Sequence, residues 1–221
     1  MLHGSPLPGV AGSELTHLLA RLADAPPADT RPAFAERLGQ WISWADAVSL
    51  SAALNARPAA PARGRVSAPA PGGEEADFQR VRAALEASIA AGPHEAASSP
   101  ADFGPHRRHC ISQQQAMREA VASLRHRLRQ ALSRHSIDAA RLAAVDAEMD
   151  RTLAAHEQGL LGLVPLRLQA HFERLQRAAA DDARWLEAFR DDMDRVLRAE
   201  LAHRLLPARG LLDALLTYRQ T

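Results

Sequence analysis

The sequence predicts an all-α protein: an antiparallel bundle of long helices, preceded by a short N-terminal helical module on a disordered linker. Alanine, leucine and arginine, which are strong helix formers, dominate the composition. Apolar residues recur every three or four positions, which is the spacing of one helix face. We find no run of alternating β-branched residues that would indicate a strand. The 221 residues have room for one domain or two small ones.

The N-terminal module is predicted at residues 13–54. Ser13 is placed to cap a first short helix with apolar residues at helical spacing. After the segment DAPPADT, Pro32 suits the first turn of a second helix, because its missing N–H costs little there. The second helix carries a stripe that steps by four and three: Phe34, Leu38, Trp41, Ala45, Val48 and Ala52.

A linker is predicted at residues 55–73, which are rich in proline, alanine and glycine and show no periodicity. Residues 74–221 are predicted to form the helical bundle, with a flexible break at about 92–105. The linker would allow the N-terminal module either to reach a partner or to fold back onto the bundle.

The first two bundle helices are predicted at about 74–91 and 107–135. Ser136 leaves so short a turn that the following helix is expected to run antiparallel, as an αα-hairpin. An apolar seam on the second helix can pack within the chain or, as a coiled coil, support a homo-oligomer: Met117, Val121, Leu124 and Leu128.

Prolines and glycines divide the rest of the bundle. Pro165 predicts a kink or break, because its ring would clash with the carbonyl group four residues earlier. A turn is expected at Asp181–Asp182. Pro207 and Gly210 are expected to separate a last short helix from the long one before it.

The sequence favours a cytoplasmic protein without a membrane span. Cys110 is the only cysteine, so no intrachain disulfide can form, which suits a reducing compartment. The N-terminus lacks the basic and apolar regions of a secretory signal. The longest apolar run, residues 160–166, is far shorter than the roughly 20 residues that a spanning helix needs. The net charge of +1 indicates no partner class.

Three segments carry a resemblance to a known family: FAERLGQWISWADAVSLSAAL (34–54), LLGLVPLRLQAHFERL (160–175) and WLEAFRDDMDRVLRAELAHRLLPARGLLDALL (185–216). They resemble a proteobacterial family of uncharacterised proteins, a domain of unknown function. The resemblance implies a gene neighbourhood with a proton-channel stator of the flagellar-motor or Tol type and a peptidoglycan-binding protein. It would make the protein a cytoplasmic accessory of an envelope complex, and it implies no catalytic residue.

Trp41 and Trp44 are the candidate anchors for a protein partner, because tryptophan is enriched among interface hot spots. Trp41 belongs to the apolar stripe of its helix, whereas Trp44 lies at the edge of that face. Alternatively, both tryptophans pack against the first helix or the bundle. Trp44 is the better candidate for a contact beyond its own helix.

The helix at 107–135 is rich in arginine, and Glu119 is its one acid. Arg125, Arg127 and Arg129 are candidate contacts for an acidic partner, for an anionic membrane surface or for nucleic acid, which an arginine cluster can attract. No aromatic residue lies among the arginines, so base stacking is poorly supported. The alternative is charge matching within the chain, with the acid-rich residues 181–194 as the complement.

Two weak patterns suggest a metal-dependent hydrolase. The spacing of His106, His109 and Cys110 places three possible zinc ligands on one helix face. A second helix presents carboxylates of the kind that bind magnesium: Glu187, Asp191 and Asp194. On the same helix three acids each precede an arginine by four residues, which is typical of a solvated helix: Asp191–Arg195, Asp194–Arg198 and Glu200–Arg204.

We expect a non-enzymatic helical adaptor or scaffold, with no catalytic residue, metal or cofactor. The adaptor would dock a protein partner through helix faces, and it is a possible accessory of a stator-type complex. The two alternatives are a nucleic-acid-binding protein that uses residues 107–134 and a helical metal-dependent hydrolase. Nucleic acid is disfavoured, because the arginines surround their helix instead of sharing one face.

Overall fold

The computed structural model describes residues 14–23, 43–55, 73–93, 102–179 and 184–220. These ranges contain the helices α1 (Glu14–Leu22), α2 (Trp44–Asn55), α3 (Gly73–Ala90), α4 (Gly104–His135), α5 (Ile137–Leu161), α6 (Val164–Ala178) and α7 (Arg184–Gln220). No β-strand occurs in them, which confirms the prediction of an all-α bundle with long helices. None of these helices combines the length and the apolar character that crossing a membrane requires.

The two longest helices, α4 and α7, lie at the centre of the bundle. Helix α4 packs against α3, α5 and α7, and α7 also contacts α1, α3 and α6. The predicted seam of α4 is buried within the chain, since each of its members is at most 6% exposed: Met117, Val121, Leu124 and Leu128. Phe172 of α6 and Phe189 of α7 add large aromatic side chains to this core.

Helices α4 and α5 form the predicted antiparallel hairpin. Ser136 alone connects them, and its hydroxyl oxygen accepts a hydrogen bond from the backbone N–H of Ala139 at 3.1 Å. This bond satisfies one of the N–H groups that the first turn of a helix leaves unpaired. The single capping residue therefore sets the antiparallel direction of α5.

The predicted break near Pro165 lies between α5 and α6. Helix α5 ends at Leu161, and the backbone N–H of Gly162 still donates to the carbonyl oxygen of Gln158 at 2.9 Å. Helix α6 begins at Val164, so Pro165 falls in its first turn, where no N–H donor is needed. The chain thus avoids the clash that Pro165 would cause inside a continuous helix.

The predicted break at Pro207 and Gly210 is wrong, because α7 continues through both residues to Gln220. Pro207 removes one backbone hydrogen bond from the helix. The turns on both sides are held by buried apolar side chains, including Leu205, Ala208 and Leu211. Tertiary packing along one face therefore outweighs the local preference to stop.

The N-terminal helices contact the bundle. In α1, Leu15 and Leu22 are buried in the same core, and Arg174 donates to the carbonyl oxygen of Leu22 at 2.9 Å. Helix α2 lies along α5. Several predictions lie outside the described residues: the cap at Ser13, the helix start at Pro32, most of the linker at 55–73 and the turn at Asp181–Asp182. The division into module, linker and bundle stays a prediction.

Candidate functional site

The arginines of α4 that the sequence singled out form ion pairs with acids of the chain. Arg125 donates to Asp146 at 2.8 Å and to Asp150 at 2.6 Å. Arg129 donates to the other oxygens of the same carboxylates, at 2.6 Å to Asp146 and 2.8 Å to Asp150. The two arginines are one helical turn apart on α4, and the two aspartates are one helical turn apart on α5. The hairpin therefore brings two cations against two anions. We call these four residues the α4–α5 ion-pair network.

Arg127 points away from this network and pairs with Asp77 of α3 at 2.7 Å. The sequence offered residues 181–194 as the acidic complement of α4, and the structure corrects this. The acids that meet Arg125, Arg127 and Arg129 lie on α5 and α3, because these are the helices that flank the corresponding faces of α4. Contact of the three arginines with nucleic acid or a partner stays a prediction.

Trp44 is 84% exposed at the start of α2, and Val48, one turn later on the same face, is 51% exposed. Helix α2 has no buried residue. Its half-buried side chains are Asp46, Ser49, Leu50 and Ala53. The predicted core stripe is therefore wrong for Ala45, Val48 and Ala52, which are exposed. Trp41 lies outside the described residues.

Polar contacts fix both the start and the position of α2. The hydroxyl oxygen of Ser43 accepts from the N–H of Asp46 at 3.2 Å, and the Asp46 carboxylate accepts from the N–H of Ser43 at 3.1 Å. This reciprocal cap begins the helix at Trp44. Asp46 also meets Arg151 of α5 at 3.5 Å, and both Ser43 and Arg151 lower the pKa of its carboxyl group. The outer face of α2, defined by Trp44, Val48 and Ser51, is thereby held toward solvent.

A groove with a volume of about 440 Å³ runs between α4, α5 and α7. At one end lie Ile111 and Leu161, and at the other lie Arg125 and Asp150 of the ion-pair network. Helix α7 contributes four residues to its lining: His203, Arg204, Leu206 and Pro207. The groove combines exposed apolar side chains with polar groups, which is the composition of many binding sites.

A buried carboxylate lies beneath the groove. Glu200 is completely buried, and Gln114 of α4 donates to its two oxygens at 2.9 and 3.2 Å. Arg204 donates to Glu200 at 2.9 Å and to Glu157 of α5 at 3.1 Å. The Gln114 amide also donates to the carbonyl oxygen of Leu161 at 2.9 Å. These side chains join α4, α5 and α7 under the groove.

Sequence reasoning assigned Glu200 only to an exposed helical pair with Arg204 and did not single out Gln114. The pair itself is confirmed, as is Asp194–Arg198 at 2.6 Å. A signal for burial was present, because Glu200 interrupts the apolar stripe that Leu197 and Leu201 continue. An acid inside such a stripe needs a buried partner.

Cys110 is fully buried near this carboxylate. Burial raises the pKa of its thiol to about 12, and the charge of Glu200 acts in the same direction. The thiol is therefore protonated at neutral pH and is a poor nucleophile.

His106, His109 and Cys110 share a buried face of α4, as their spacing predicted. His106 lies among aromatic rings, with its ring centre 5.2 Å from that of Phe189 and 5.8 Å from that of Phe172. Neither of its ring nitrogens has a hydrogen-bond partner among the described residues. Within those residues, no group of three His, Cys, Asp or Glu side chains could hold a metal ion.

Replacing His106 with phenylalanine is expected to stabilise the protein most at acidic pH. Burial lowers the pKa of His106, Arg190 and His109 lower it further, and Asp102 opposes them. The unfolded chain therefore binds the proton more readily, and wild-type stability falls as pH drops below about 6.5. His106→Phe should add about 1 kcal/mol at pH 8, where it removes unpaired polar atoms. Melting temperatures at pH 8 and pH 5 should show a larger gain at pH 5, and an equal or smaller gain would contradict this assignment.

The fold and these surfaces define a class: an all-α bundle whose central polar groups connect helices and whose exposed apolar residues include Trp44 and Val48 on α2 and Ile111 and Leu206 at the groove. The chain belongs to the family described as "Protein of unknown function (DUF3348)", which matches residues 1–217. Neither a curated protein nor a solved structure matches the sequence.

Proposed function

We propose that this protein is a non-enzymatic helical adaptor that binds a protein partner through the outer face of α2. The observation that carries the proposal is the exposure of Trp44, 84% of whose surface is open. A tryptophan is among the costliest residues to leave in water and among the strongest contributors to interfaces. Val48 extends the apolar surface by one helical turn.

The way α2 is attached supports the same function. Its half-buried side is fixed to α5 by Asp46, which meets Arg151, and by Ser49, which bonds to Glu148. A helix held in this way presents Trp44 in a defined orientation before any partner arrives. Such preorganisation lowers the entropy cost of binding.

The cytoplasm is the proposed location, because the single cysteine suits a reducing compartment. The partner class that the family resemblance implies is a cytoplasmic segment of a stator-type envelope complex. In this function α4 acts as a structural helix, because Arg125 and Arg129 are occupied by Asp146 and Asp150.

Trp44→Ala is expected to abolish partner capture while changing the free energy of unfolding by less than about 0.5 kcal/mol. The measurement is crosslinking and mass spectrometry on the intact chain in cells, followed by binding assays with the purified partner. Leu160→Ala is the matched control, since Leu160 is 55% exposed and lies at the end of α5. The partner should bind the control like the wild type and should bind Trp44→Ala at least tenfold more weakly.

The proposal fails if Trp44→Ala binds the captured partner as tightly as the wild type. It also fails if the substitution lowers the melting temperature by several degrees, because Trp44 would then be packing within its own chain. Circular dichroism on all three proteins distinguishes the two results.

A further inference from the structure

Two facing stripes form the walls of the groove between α4 and α5. On α4 five of the six lining residues step by three and four: Ile111, Gln114, Arg118, Val121 and Arg125. On α5 a continuous stripe begins at buried Ala139 and Ala143, passes through the ion-pair network, and continues as Ala154, Glu157 and Leu161. The inward face of α5 is thus covered in its first half, whereas Ala154 in the second half is exposed.

The dimensions of the groove match a helix better than a compact ligand. Ile111 and Arg125 are 14 positions apart on α4, so at 1.5 Å per residue the lined length is about 21 Å. Exposed apolar side chains stand on two sides, with Ile111 of α4 at 44% and Leu206 of α7 at 62%. Apolar side chains along four turns are what an amphipathic helix requires of its receptor.

The charges of the groove indicate the polarity of its occupant. Arg125 is neutralised by Asp146 and Asp150, and Arg204 by Glu157 and Glu200. Arg118 of α4 is exposed and bonds to the neutral amide of Gln115, and no acid pairs with it among the described residues. His203, exposed on α7, adds an imidazole that can donate a hydrogen bond to a carboxylate.

We propose that the groove between α4, α5 and α7 binds an acidic amphipathic helix of a partner protein, with apolar residues against Ile111 and Leu206 and a carboxylate at Arg118. The bound helix would complete the bundle over the open half of α5. This site uses a different face of α5 from the one that carries α2, so it does not depend on the outer face of α2.

The probe is a phage-displayed library of 16-residue peptides, selected against the full chain. The expected result is enrichment of sequences with apolar residues three and four apart and with Asp or Glu between them. A synthetic peptide of the consensus should bind with an affinity that Leu206→Glu and Ile111→Glu each reduce at least tenfold. Arg118→Glu should reverse the preference from acidic to basic peptides.

Matched controls exist for both apolar positions. Leu166 of α6 is 60% exposed and Ile137 of α5 is 44% exposed, and neither lines the groove. Leu166→Glu and Ile137→Glu should bind the peptide like the wild type, as should Trp44→Ala. The last variant separates this site from the outer face of α2. Circular dichroism melts confirm that each variant is folded.

Three results would overturn the proposal. One is a library that yields no consensus, or a consensus whose binding is unaffected by Leu206→Glu and Ile111→Glu in folded protein. Another is a preference for basic peptides in the wild type. The third is a concentration-dependent dimer, seen by light scattering and lost in Leu206→Glu, because the occupant would then be a second copy of the chain.

Discussion

Glu200→Ala is expected to destabilise the protein by about 3–5 kcal/mol, the cost of removing one partner from a buried ion pair. Glu200 is completely buried and accepts hydrogen bonds from Gln114 and Arg204. Without the carboxylate, Arg204 keeps only Glu157, and one Gln114 donor loses its acceptor. Urea unfolding at pH 7 measures the loss, which is a large share of the roughly 5–15 kcal/mol that typically stabilises a domain.

Two further variants distinguish the loss of the Glu200 charge from the loss of side-chain volume as the cause of this destabilisation. Glu200→Met removes the charge but keeps the side chain long, and it should still destabilise because Arg204 remains. Glu200→Met combined with Arg204→Met removes both charges and should recover much of the loss, since well-packed apolar pairs often replace buried ion pairs without penalty. A double variant no more stable than Glu200→Met alone would show that the pair is not the cause.

Arg204→Met alone completes the double-mutant cycle and isolates the energy of the pair. The cycle also tests the groove, because Gln114, Glu157 and Arg204 line it. If Glu200→Ala costs less than about 1 kcal/mol, the carboxylate is not held as the distances of 2.9 to 3.2 Å indicate.

The architecture could be predicted from the sequence because it depends on local rules. Three-and-four spacing identifies the buried face of α4, and the one-residue connection at Ser136 forces α5 to run antiparallel. Pro165 marks a true break between two helices, because it lies in the first turn of α6, where proline is tolerated. Each of these conclusions requires only residues close together in the chain.

The predictions that are wrong concern features that depend on residues distant in the chain. Pro207 does not end α7, because buried side chains before and after it pack against several other helices. Val48 follows the helical spacing of a core residue but is exposed, because α2 turns its half-buried side chains toward α5 instead. Periodicity shows which residues share a face, and it does not show which face meets the bundle.

The candidate site depends on the same missing information. The sequence contains many acids that could pair with Arg125 and Arg129, and only the register of the hairpin selects Asp146 and Asp150. The groove is defined by three helices whose lining residues lie up to 96 positions apart in the chain, from Ile111 to Pro207. The sequence singles out Trp44 at the edge of a stripe expected to face the core, but the described residues of that stripe are exposed, so the exposure of Trp44 follows from the face that α2 turns toward α5.

Arg125→Ala and Arg127→Ala are expected to differ sharply, although the two arginines are only two positions apart. Arg125 is 8% exposed and bridges two aspartates, so its removal leaves Asp146 and Asp150 with Arg129 as their one remaining partner in the network and should cost about 3 kcal/mol. The Arg127 side chain is 44% exposed and pairs with Asp77, so its removal should cost at most about 1 kcal/mol. Thermal and urea unfolding of both variants provide the comparison.

The effect of salt on stability should also differ between the two variants. Screening weakens exposed pairs more than buried ones, so about 0.5 M NaCl should remove most of the difference between wild type and Arg127→Ala and little of the difference for Arg125→Ala. Equal costs for the two variants would contradict the burial of the α4–α5 network. The two variants also differ in how a DNA-binding experiment is interpreted. Arg127→Ala changes stability little, so loss of DNA binding would indicate a direct contact, whereas a loss in Arg125→Ala would be confounded by destabilisation.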